Sequence, residues 1–108
     1  MESDTLSRRA HPRKLLQGTG WITDPVSHEK HEVTLLDISL GGVAFLTNEV
    51  LPAQSPWLVR FPVGNELLTG TIEIAYCIKH LMTDAYRVGA QFRRLRPDQL
   101  AIIERYTE

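Results

Sequence analysis

Apolar and polar residues alternate along most of this chain in short blocks. From residue 15 onward, six runs rich in Val, Ile, Thr, Leu and aromatic residues follow one another: LLQGTGWIT, HEVTLLDIS, GVAFLT, PWLVRFPV, LLTGTIEIAYCIKHL and AYRVGAQF. Several have period two. In TGTIEIAYCI, Ile72, Ile74, Tyr76 and Ile78 fall on one face, and Thr71, Glu73, Ala75 and Cys77 on the other. Turn-forming residues separate the runs: Asp24-Pro25 before the polar loop SHEKH, Ser39 to Gly42, Leu51-Pro52, Pro62 to Asn65, and Met82 to Asp84. Six short strands at this spacing predict a mostly β, antiparallel barrel or sandwich. Only the end has helical period. Pro97 suits a first helical position and Asp98 a first turn. Leu100 and Ile103 repeat at i and i+3, and Ile102 and Tyr106 at i and i+4, so an amphipathic helix of about three turns is expected to cap the sheet structure.

The first 13 residues differ. They hold little apolar content beyond Leu6 and Ala10, and Pro12 biases His11 away from helix. The division expected is a flexible N-terminal arm over residues 1–13 and one domain over residues 14–108, since 108 residues leave no room for a second core. The arm nevertheless carries Arg8, Arg9 and Arg13.

Composition narrows the function. Hydrophobic residues make up 43% and charged residues 23%, an ordinary globular balance with a formal net charge of -1. That balance argues against a general DNA or RNA binder, which carries a broad basic face. A local basic cluster on a near-neutral chain points instead to a small anionic ligand. The lone Cys77 leaves no internal disulfide and reads as a buried structural thiol. No stretch is long enough to span a membrane and MESDTLSRR lacks an apolar signal core, so a cytoplasmic protein without membrane insertion is expected. His28 and His31 lack a nearby third ligand, so no metal is expected. Trp21 and Trp57 sit within strand runs and read as core or barrel-edge residues, and His80 as a surface residue.

A second unusual stretch, DISLGG at 37–42, falls between two predicted strands. Asp and Ser accept local backbone hydrogen bonds in turns, and paired glycines permit special backbone angles or close approach of a ligand. By itself it reads equally well as a hairpin turn. Taken together, Arg9-x-x-x-Arg13 and Asp37-x-Ser39-x-x-Gly42 resemble the paired signature of PilZ domains, bacterial receptors for cyclic di-GMP. The arginine pair recurs by chance roughly once in such a composition, whereas the Asp-x-Ser-x-x-Gly pattern has an expectation of about 0.01. YRVGAQF, with RLRP and the closing helix after it, is similar to the usual end of such a domain.

The resemblance implies a six-stranded antiparallel barrel with a C-terminal helix. It also implies a cyclic di-GMP site built from Arg8, Arg9, Arg13, Asp37, Ser39, Gly41 and Gly42, with no cofactor and no catalysis. Arg9 and Arg13 are assigned to guanine edges and phosphates, Asp37 to a guanine donor edge, Ser39 to a phosphate or base, and Gly42 to close backbone approach. Arg8 is assigned to a second, intercalated nucleotide, His11 to a spacer, and Gly89 to the border of the site or to strand packing. Output is expected through an unidentified effector protein, from a monomer or weak dimer, in motility, adhesion, exopolysaccharide or virulence pathways. The competing classes are a degenerate PilZ-like interaction module that binds no nucleotide and a small barrel for single-stranded nucleic acid. The intact signature counts against the first, and 7% aromatic content with a neutral total charge against the second. No Gly-x-Ser-x-Gly elbow surrounds Ser39, so a hydrolase is set aside.

Overall fold

The computed structural model describes residues 11–108. Seven strands and one helix follow in chain order: β1 (Lys14–Leu15), β2 (Thr19–Thr23), β3 (Lys30–Ile38), β4 (Gly42–Thr47), β5 (Pro56–Val63), β6 (Glu66–Lys79), β7 (Tyr86–Arg93) and α1 (Pro97–Thr107). The neighbour order is β1-β3-β2-β5-β6-β7-β4, and β3 also pairs with β4. Every pairing is antiparallel. Six strands therefore close into a barrel, as expected, and β1 lies outside it. The seventh strand arises because LLQGTGWIT is broken at Gly18, whose φ of 93° residues with a side chain rarely adopt. On either side of that break the run pairs with β3 twice, first through β1 and then through β2.

Alternation fills the interior. Ile22, Val33, Leu35, Phe45, Val59, Phe61, Leu68, Ile72, Ile74 and Val88 are buried, with the Phe45 and Phe61 rings 6.0 Å apart and nearly edge-on. Trp57 joins this core and donates its indole N–H to Ser55 Oγ at 3.0 Å, whereas Trp21 faces outward and is 44% exposed. The β5–β6 connection is tighter than the Pro62 to Asn65 reading. Pro62 is still in β5, past the end of its pairing with β2, and Gly64-Asn65 alone make the hairpin, with Gly64 at φ 63°.

Helix α1 starts with Pro97 and carries Asp98 in its first turn. Its buried face is Gln99, Ile102 and Ile103, with Tyr106 packed beside them, and Leu100 lies toward solvent. Polar Gln99 takes the inward place because its Oε1 accepts the Thr69 N–H at 2.7 Å, anchoring the helix to β6. Tyr106 donates its hydroxyl to the Leu15 carbonyl at 2.6 Å, and Lys14 Nζ stands 4.4 Å from the centre of its ring. The base of the N-terminal segment is thus fastened to the helix.

Two bulges reset the alternation. In β3 the register shifts between Leu35 and Asp37, and in β6 between Ile74 and Tyr76. The second overturns the single-face reading of TGTIEIAYCI. Ile72 and Ile74 point inward, but the extra residue Ala75 rotates Tyr76 and Ile78 to the outside and turns Cys77 toward the core. Cys77 is accordingly half-buried, with its sulfur accepting the Leu51 N–H at 3.4 Å.

Candidate functional site

The β3 bulge decides where Asp37 points. Strict alternation from Val33 and Leu35 would send Asp37 into the apolar interior. With Leu36 as the extra residue, Leu35 and Ile38 are both buried and Asp37 emerges on the outer surface. There it begins a row of residues in register across four strands: Asp37 opposite Ala44, Ala44 opposite Gly89, and Gly89 opposite Tyr76. The two middle residues are small, so the row forms a trough between a carboxylate and an aromatic ring. The bulged strands stand at its two ends.

The Gly89-Tyr76 end of the trough lines a cavity of about 560 Å³, together with His11, Arg13, Ser39, Gly41 and Gly42 on one side and Ala75, Arg87 and Gln91 on the other. Its size is in the range of small-molecule sites. Arg13 reaches Asp37 through Nη2 to Oδ1, and Arg87 Nη2 lies 3.8 Å from Oδ2. Two guanidiniums around one carboxylate leave this surface with an excess of positive charge, suited to an anion.

The turn after β3 is built by Ser39. Its side chain is buried, and Oγ accepts the backbone N–H groups of Gly41 at 3.2 Å and Gly42 at 3.3 Å, while Ser39 N–H donates to the Gly42 carbonyl at 2.8 Å. With both acceptor positions of the oxygen engaged, the hydroxyl keeps its hydrogen to donate. Gly42 has a reason within the sheet: a Cβ there would collide with the carbonyl oxygen of Ala90 on β7. Gly41 is different, because a Cβ would meet only the His11 ring, 3.3 Å away, and Ser39 Oγ at 3.9 Å. At Gly89, a Cβ would run into the Tyr76 ring, which lies over this glycine.

A PilZ domain model matches residues 7–108. The chain belongs to the PilZ domain family. Solved structures similar to this PilZ barrel include "PilZ domain with c-di-GMP of YcgR from Escherichia coli", at TM-score 0.69 and 14% identity over 93% of this chain and 88% of that one. Another is the PilZ domain of CeSA from a cellulose-synthesizing bacterium, at TM-score 0.65 and 15% identity over 88% of this chain and 93% of that one. The Bacillus subtilis inhibitor of motility MotI/DgrA superposes at TM-score 0.79 with 11% identity over 93% of this chain, which spans only 49% of that protein. Compared by sequence, the chain matches no curated protein.

Of the residues singled out in the PilZ signature, Arg13, Ser39, Gly41 and Gly42 meet at this cavity and Gly89 joins them, while Asp37 stands behind it, ion-paired to Arg13 and Arg87. Arg8 and Arg9 lie outside the described residues. His11, read as a spacer, lines the cavity with its ring against Gly41. Sequence reasoning missed Arg87, Tyr76, Ala75 and Gln91 as site residues. Arg87 and Gln91 flank Gly89 at two residues' distance, so the β-strand period gave a signal for them once Gly89 was noticed. Nothing local marked Tyr76, because the bulge brings it there.

The other candidates fall elsewhere. His31 packs its ring 5.5 Å from that of Trp57, and His28 sits in a turn at φ 66° where the Asp24 carboxylate accepts the Val26 and Ser27 N–H groups. Those bonds hold the Asp24 carboxyl below its ordinary range. Among the described residues no helix is long and apolar enough to cross a membrane.

Proposed function

We propose that this PilZ domain is a receptor for cyclic di-GMP that recognises its ligand without transforming it. The observation that carries the reading is the convergence of Arg13 and the Ser39-Gly42 turn on one cavity of about 560 Å³, with Asp37 ion-paired to the cavity residues Arg13 and Arg87. A guanine offers O6 and N7 acceptors on one edge, which a guanidinium engages through two parallel bonds, and N1–H and N2–H donors on another, which a carboxylate accepts. Asp37 takes the donor edge, and Arg13 and Arg9 take acceptor edges and phosphates. The free Ser39 hydrogen suits a phosphate oxygen, Gly41 opens the backbone to the ligand, and Tyr76 presents a ring face to a purine. Solved relatives with cyclic di-GMP, such as the YcgR domain, support the choice of nucleotide.

In this reading residues 1–13 act as an arm on a receptor barrel over residues 14–108. Nucleotide binding draws Arg8 and Arg9 onto the cavity, Arg8 serving a second nucleotide. Charge-assisted hydrogen bonds contribute roughly 1.5–3 kcal/mol each. Several of them offset the ordering of a segment as short as 8–13, at about 1–2 kcal/mol per residue. The closed arm then alters the surface offered to an effector protein in motility, adhesion, exopolysaccharide or virulence control.

A calorimetric titration with cyclic di-GMP, with GTP and linear pGpG as controls, tests the reading. Selective binding at micromolar Kd or tighter, about -8 kcal/mol, is expected, together with its loss in the double variant Arg9→Ala/Arg13→Ala. A stoichiometry near two per chain would support the role given to Arg8. Absence of binding by the wild type would overturn the receptor reading.

A further inference from the structure

Asp37 is held from two sides, by arginines whose own supports differ. Arg13 sits just before the two-residue strand β1, at the start of the ordered sheet. Arg87 is interior to β7, where its backbone is in register with Leu46 of β4 on one side and Ile78 of β6 on the other. Each takes a separate carboxylate oxygen: Arg13 Nη2 engages Oδ1, and Arg87 Nη2 stands 3.8 Å from Oδ2. A nucleotide that recruits Arg13 to a base edge or phosphate removes one of these supports. The other stays, because β7 is fixed on both flanks. A carboxylate without it is free to rotate and to turn away from a donor edge.

We propose that Arg87 is a positioning residue, which acts on the nucleotide through Asp37 by holding Oδ2 while Oδ1 accepts from guanine. This rests on the receptor reading above. The geometry supports it in two ways. The β3 bulge aims Asp37 across the sheet toward β7, and Arg87 lies one row from the Asp37-Ala44-Gly89-Tyr76 trough, on the same face. The Asp37 side chain is 18% exposed and that of Arg87 37%, so the pair is partly shielded from water.

The test is a double-mutant cycle on the full chain, titrated with cyclic di-GMP by calorimetry and, for the weakest complexes, by NMR. Arg87→Met is expected to weaken binding about three- to tenfold, as loss of one partly shielded ion pair does. Arg87→Lys, which keeps a cation facing Oδ2, is expected to recover most of that loss. In an Asp37→Asn background, Arg87→Met should change nothing further, because the residue has no carboxylate left to hold. A loss that persists in that background would show direct contact with the nucleotide and overturn the proposal. So would an unchanged affinity in Arg87→Met alone. Should Arg87→Met not fold, Arg87→Gln carries the same cycle, with Arg87→Lys as its rescue. A wild-type chain that binds no cyclic di-GMP overturns the receptor reading and this inference together, whereas a bound wild type with an additive cycle overturns this inference alone.

Discussion

Gly42→Ala separates the two reasons a signature glycine can exist. The β4–β7 ladder pairs Gly42 with Gln91 and Val43 with Ala90, which brings the Ala90 carbonyl against the place a Gly42 side chain would occupy. The obstructing atom is a backbone oxygen in the middle of a closed barrel, with Ala90 carbon at 3.4 Å and Gln91 Cα at 3.6 Å behind it. It cannot rotate aside as a side-chain terminus can. Relief requires β4 and β7 to part at the start of β4, with loss of ladder hydrogen bonds, at about 2–3 kcal/mol. For a domain of this size that corresponds to about 10 °C in Tm, and to about 1–2 M in the urea midpoint. Gly41→Ala is the control. Its Cβ meets the His11 ring, which can shift, so a change within about 0.5 kcal/mol is expected. Urea unfolding of wild type and both variants, followed by tryptophan fluorescence and circular dichroism, reads the contrast. Equal stability of Gly42→Ala and wild type would refute the steric argument and leave ligand approach as the reason for this glycine.

Two further predictions follow from the helix and the first loop. Ile103→Ala, at a fully buried position, is expected to cost about 2–5 kcal/mol in urea unfolding, and Leu100→Ala, at a residue 37% exposed, under about 1 kcal/mol. A reversed order would mean that the helix packs on the face that contains Leu100. Asp24 has its pKa lowered by the Ser27 and Val26 N–H groups it accepts. A depressed folded-state value gives stability that is present above the unfolded value, about 3.9, and is lost as pH falls through the folded one. The Tm advantage of wild type over Asp24→Ala should therefore be constant from pH 5 to 7 and shrink below about pH 4. A difference that stays constant through pH 2.5 would exclude the ionised carboxylate as its source.

The chain's own pattern determined the strands, their turns and the closing helix, because a period of two with turn residues between runs is local chemistry that each segment carries alone. It also carried the paired signature, since Asp37, Ser39 and Gly42 lie within six residues around one turn, where the Ser39 side chain meets the Gly42 backbone at short range. The helix face shows the limit. Apolar spacing favoured Leu100, but a hydrogen bond to Thr69 from a distant strand made polar Gln99 the inward residue.

Barrel closure, the direction of Asp37 and the far wall of the cavity were decided only by tertiary structure. A bulge is one residue too many relative to a partner strand, so it has no meaning until that strand is in place. IEIAYC therefore read as unbroken alternation. Pairing with β4 and β7 inserted the extra residues Leu36 and Ala75, turned Asp37 and Tyr76 outward, and set Arg87 beside a carboxylate fifty positions earlier in the chain.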